Sequence, residues 1–129
     1  MVKNIFISHS WKYEEQYTTV KGWINDSNLD WTNMSVESDN PKDTKTDGEL
    51  KQLIDNNIRN STGVIILAGM YTNSSKWIDK EIDIALKYNK PIIGIRPIGN
   101  ERIPTKISDN TEMINWNSSS LINTIKEHF

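Results

Sequence analysis

Gly63-Val64-Ile65-Ile66-Leu67 is an unbroken apolar run, and the fold turns on how it is read. Apolar residues without alternation describe a strand covered on both faces, the pattern of a parallel sheet rather than of a half-solvated antiparallel one. Before it, Glu49 to Asn60 carries Leu50, Leu53, Ile54 and Ile58 on one helical face. After it, Lys76 to Asn89 reads as a helix with Ser74 and Ser75 as candidate caps, and Pro91 to Ile95 is a second β-branched apolar run. Toward the start, Lys3 to His9 encloses Ile5, Phe6 and Ile7 and reads as a buried, central first strand. Trp11 to Ser27 repeats Tyr13, Tyr17, Val20 and Ile24 at helical spacing and ends in Asn25-Asp26-Ser27-Asn28. Trp31 to Val36 is expected as a second strand, and Glu37 to Gly48, polar and containing Pro41, as a long loop. The tail offers a weak strand near Met113 to Trp116 and a helix from Ser119 to Phe129, with Leu121, Ile122, Ile125 and Phe129 on one side.

Strands alternating with helices imply an α/β fold: a three-layer α/β/α sandwich around a mostly parallel sheet of about five strands, with flavodoxin-like topology. A chain of 129 residues suits one domain, so 1–129 is expected to fold as a unit. Apolar residues make up 36% and charged residues 25%, the balance of a soluble globular protein. There is no cysteine, which excludes a disulfide framework and a thiol nucleophile and suits a reducing compartment. The apolar run between Met1 and Ser10 is too short for a signal core or a membrane span, so the expected address is the cytoplasm, with no membrane partner. A net charge of −2 with no concentrated basic face argues against nucleic acid as a partner and leaves a small molecule or a protein.

In sheets of this kind ligands bind beyond the carboxyl ends of the strands, where the strand order reverses. That directs attention to Ser8 to Lys12, Glu37 to Gly48 and Gly69 to Trp77. On a helical wheel, Lys76, Asp79, Lys80, Asp83 and Lys87 form a polar face, and Trp77, Ile78, Ile82, Ile84, Ala85, Leu86 and Tyr88 form the opposite arc. Glu81 falls inside the apolar arc, one turn after Trp77 and one turn before Ala85. Two readings stand side by side. Glu81 either pairs with a lysine or arginine at the core edge, or it is a shielded acid with a raised pKa held for a ligand.

Asn60-Ser61, Gly63-Val64-Ile65-Ile66-Leu67, Tyr71, Ser75, Trp77 and Glu81-Ile82-Asp83-Ile84-Ala85 together resemble the central signature of TIR domains. The opening Asn4-Ile5-Phe6-Ile7-Ser8-His9-Ser10-Trp11 is similar to the first strand and loop of the bacterial branch that includes the TIR component of the Thoeris anti-phage system. The chain departs from many TIR domains in having Ile78 where a cysteine follows the tryptophan. It also has Asn40-Pro41 and a later Gly48 in place of a proline-glycine pair. The resemblance implies an enzyme, an NAD glycohydrolase or ADP-ribosyl cyclase, with Glu81 as the catalytic acid and NAD as substrate rather than cofactor. A carboxylate suits that chemistry, because it steadies the oxocarbenium-like sugar left when nicotinamide departs. The resemblance also implies self-association through TIR surfaces and a nucleotide signal read by a separate effector in anti-phage immunity.

Around Glu81, the residues expected to contact the nucleotide are Phe6, Ser8, His9, Asp39, Asn40 and Trp77, with Lys42 in the same loop as Asp39 and Asn40. All but Ser8, the strongest of them, have a plainer reading. Phe6 suits the core better than contact, His9 suits a structural role, Asp39, Asn40 and Lys42 suit a solvated loop, and Trp77 suits a core anchor. No metal is assigned, since His9 and the distant His128 are the only histidines. Trp11, Trp23, Trp31 and Trp116 read as packing residues. A phosphoacceptor receiver is excluded by Ser8-His9-Ser10 and Ala68-Gly69-Met70, where it needs acids, and a flavin site by the lack of a phosphate loop. A non-catalytic adaptor and a nucleoside glycosyl-transferring enzyme remain open.

Overall fold

The computed structural model describes residues 2–8, 14–35, 47–67, 71–96, 103 and 105–129, and of residues 14, 47 and 71–77 the backbone alone. In chain order the elements are β1 (Lys3–Ile7), α1 (Glu14–Asp26), β2 (Trp31–Asn33), α2 (Asp47–Arg59), β3 (Gly63–Leu67), α3 (Tyr71–Lys87), β4 (Ile92–Ile95), α4 (Thr105–Ser108), β5 (Glu112–Ile114) and α5 (Ser118–His128). The strands form one sheet in the order β2-β1-β3-β4-β5, and every pairing is parallel. The direction of winding reverses between β1 and β3, as the flavodoxin-like reading expects.

The three middle strands are apolar because both faces are covered. Ile5, Phe6, Ile7, Val64 to Leu67 and Ile92 to Ile95 are all buried. Their register sets Ile7 beside Ile65 and Ile65 beside Ile93, so one row of isoleucines crosses the sheet. α1 lies against α5, and α2 against α3. Tyr17, Val20 and Ile24 of α1, Ile54 and Ile58 of α2, Ile78, Ile82, Ile84 and Ala85 of α3, and Leu121 and Ile125 of α5 complete the core. Gly63 opens β3 because the Phe129 ring occupies the space that a Cβ would need. Trp23 and Trp116 meet edge to face at 4.8 Å, and Trp31 donates its indole N–H to Asn25. These three tryptophans pack against the core, and Trp11 lies outside the described residues.

Along α3 the structure corrects three sequence expectations. α3 begins at Tyr71, so Ser74 and Ser75 lie inside the helix and do not cap it. The polar stretch before Lys76 carries no apolar period, and periodicity is blind to a helix end that offers no apolar face. α3 also stops at Lys87 rather than Asn89. Asn89 takes a left-handed backbone (φ 55°), its N–H bonds to Leu86 O, and the Lys90 N–H bonds to Ala85 O. That pairing is a Schellman motif, with asparagine in the position usually held by glycine. Finally, Leu86 is 43% exposed although the wheel sets it on the apolar arc, because it falls at the margin of that arc. The short helix α4 has no counterpart in the sequence pattern, being barely one turn long.

Candidate functional site

Glu81 lies on α3 between buried Ile78, Ile82, Ile84 and Ala85, and is itself only 4% exposed. The helix buries it because its neighbours at one-turn spacing must face the sheet, and the acid is carried in with them. Burial pushes the Glu81 carboxyl up to about 8, and the adjoining Ser8 hydroxyl pulls it partly back down. No described lysine or arginine acts on it, so the edge-ion-pair reading of Glu81 does not hold among the described residues. At neutral pH burial therefore favours the neutral acid form of Glu81.

Ser8 follows β1 directly and is 1% exposed. Its backbone N–H donates to Ile65 O at 2.7 Å, continuing the β1–β3 ladder one residue past the strand. The Ile7 N–H donates to Ser35 Oγ at 2.9 Å, which ties the same end of β1 to the segment after β2. Ser8 is thus pinned at the carboxyl rim, at the point where the strand order reverses. Its hydroxyl adjoins Glu81 without completing a hydrogen bond of regular geometry. Ser8 Oγ and Glu81 Oε2 are both buried with no partner among the described residues. Native proteins rarely leave such groups unpaired, so these two atoms mark the rim as a candidate site.

Phe6 is 2% exposed and sits within the core cluster. Trp77 lies on α3, but its side chain is outside the described residues, as are His9, Asp39, Asn40 and Lys42. Sequence reading did not single out Ser35, whose position just after β2 is the signal that singles it out. Nor did it find a shallow groove of about 570 Å³ at the carboxyl ends of β4 and β5, lined by Arg96, Asn115 and Asn123 among others. That groove borders α5, whereas Glu81 belongs to α3.

A doubly wound sheet of five parallel strands defines the class of flavodoxin-like α/β domains. Within that class, the chain belongs to the family of the Thoeris protein ThsB TIR-like domain, whose model matches residues 6–102. No curated protein is a recognisable sequence relative. Among solved structures, a conserved protein from Enterococcus faecalis V583 superposes with a TM-score of 0.72 at 10% identity, covering 100% of both chains. The CMP N-glycosidase BcmB of Clostridium botulinum superposes with a TM-score of 0.60 at 12% identity, covering 97% of this chain and 99% of that one. A 3-dehydroquinate dehydratase-like protein from Bifidobacterium longum gives 0.52 at 11% identity over 99% and 94% of the two chains. These likenesses are of fold. Among the described residues no helix is long and apolar enough to cross a membrane.

Proposed function

We propose that this protein is an N-glycosidic-bond-cleaving TIR enzyme that acts on NAD, with Glu81 stabilising the sugar cation. The observation that carries this reading is the buried Glu81 carboxyl, free of any described cation and set against Ser8 at the rim of the sheet. Membership of the Thoeris ThsB TIR-like family supports it, and a fold shared with a CMP N-glycosidase supports the class of bond.

In the reaction, the bond between C1′ of the ribose and the nicotinamide nitrogen breaks, and its electron pair stays on nicotinamide, which leaves as a neutral base. No general acid is needed. The developing charge on the ribose is met by ionised Glu81 in a low-dielectric setting, where a carboxylate acts more strongly than in water. Ser8, with Phe6 behind it in β1, and His9, Asp39, Asn40 and Trp77 are assigned to holding the nucleotide. Attack by water at C1′ gives ADP-ribose, and attack by an atom of the substrate itself gives a cyclic isomer. Where water or a substrate hydroxyl attacks, its proton is released to solvent as the bond to C1′ forms. The cyclic product is the form suited to signal to a separate effector in anti-phage defence, with self-association completing the site.

Purified protein incubated with NAD is expected to release nicotinamide, followed by chromatography at several protein concentrations, and Glu81→Ala is expected to lower release at least 100-fold, of the order seen when a key electrostatic group is removed. Equal release by Glu81→Ala sinks the reading. The likeness to the CMP N-glycosidase favours one second reading, cleavage of a nucleoside monophosphate. Release of cytosine from CMP without release of nicotinamide from NAD selects it. Neither release leaves a non-catalytic adaptor.

A further inference from the structure

We propose that Ser8 is a positioning residue that governs the charge of Glu81, so that the site alternates between a neutral, closed pair and a charged, ligand-ready one. The geometry carries this. Ser8 Oγ and Glu81 Oε2 are both buried without a hydrogen-bond partner among the described residues, and the Ser8 hydroxyl lies close enough to act on the Glu81 carboxyl. A serine hydroxyl both donates and accepts, so one rotation suits either state of the acid: it accepts from the carboxyl O–H and donates to the carboxylate. Its backbone does not shift between the two, being held by the Ile65 carbonyl and by the Ile7–Ser35 bond.

No other described group is placed to take over this role. The buried stretches of β1, β3 and β4 carry no titratable side chain. On α2, Asp55 accepts from Tyr88 and faces Lys87, and on α3 Asp83 pairs with Lys106 at 2.7 Å. Ligand hydroxyls that donate to Glu81 favour its charged form, so occupancy releases the proton to solvent and readies the acid. This consequence for turnover rests on the catalytic reading, whereas the Ser8–Glu81 coupling does not.

The test is a titration of the Glu81 carboxyl by carbon-13 NMR in the full-length protein, with Glu81→Gln to assign the signal. Wild type is expected to titrate above neutrality. Ser8→Ala is expected to move the titration up by about 1 pH unit or more, as the loss of a hydrogen bond to a charged group does. Ser8→Thr, which restores a hydroxyl, is expected to return it toward wild type, and this rescue separates positioning from a packing effect. Wild-type titration in the ordinary carboxylate range, or no movement in Ser8→Ala, overturns the proposal. Titration as expected in a protein that releases no nicotinamide overturns the catalytic reading alone.

Discussion

The acid at position 81 sets stability against readiness for chemistry. Its folded-state pKa of about 8 exceeds the ordinary 4.5, so the folded chain holds the proton more tightly than the unfolded one. The stability tied to this group is complete below the ordinary value, is lost as pH climbs through the window to about 8, and is flat above it. Glu81→Gln removes the ionisation. It is expected to be more stable than wild type by an amount that grows across that window, of the order of a few kcal/mol at its upper end, measured by urea unfolding at stepped pH. The activity carries the opposite sign. Since the carboxylate is the working form, nicotinamide release at limiting NAD is expected to rise with pH and level off above about 8. A profile falling across that range argues for the neutral acid as the active form.

At the level of elements, α2 and α3 are clasped at one end of their contact. The Tyr88 hydroxyl donates to Asp55 Oδ1 at 2.6 Å, and Lys87 lies 3.5 Å from Oδ2. The Tyr88 hydrogen bond holds the Asp55 carboxyl below its usual value, against opposing desolvation and with help from Lys87. Stability from Asp55 is therefore present at neutral pH and lost as pH falls through its lowered pKa. Tyr88→Phe is expected to cost about 1 kcal/mol near pH 7 and to flatten the acid limb of the stability curve, read from thermal melts at pH 3 to 7. The left-handed turn at Asn89 yields a second element-scale expectation. Asn89→Gly is tolerated, and Asn89→Val costs about 1–2 kcal/mol, because a β-branched residue resists that backbone.

For the whole molecule, stability rests on the row of isoleucines across the central strands. Ile65 is fully buried and pairs with both neighbours of β3. Ile65→Ala is expected to cost about 2–5 kcal/mol, a large share of the roughly 5–15 kcal/mol that a domain possesses. A urea midpoint followed by tryptophan fluorescence checks this, and a change under 1 kcal/mol contradicts the packing described here.

Local pattern determined much of this protein by itself. Continuous apolar runs mark β1, β3 and β4, and helical spacing marks α1, α2, the later turns of α3 and α5, because strand burial and helix periodicity are properties of neighbouring residues. Glu81 was legible for the same reason, as a charge out of phase with its own helix. Tertiary structure alone decided whether that acid meets a cation or a hydroxyl. Ser8 and Ser35 follow separate strands, and only the parallel pairing of β1 with β2 and β3 brings them to one rim. The exposure of Leu86 and the start of α3 at Tyr71 were likewise visible only in the structure. Desolvation and ion pairing depend on what the rest of the chain leaves nearby, and no periodicity within a single element records that.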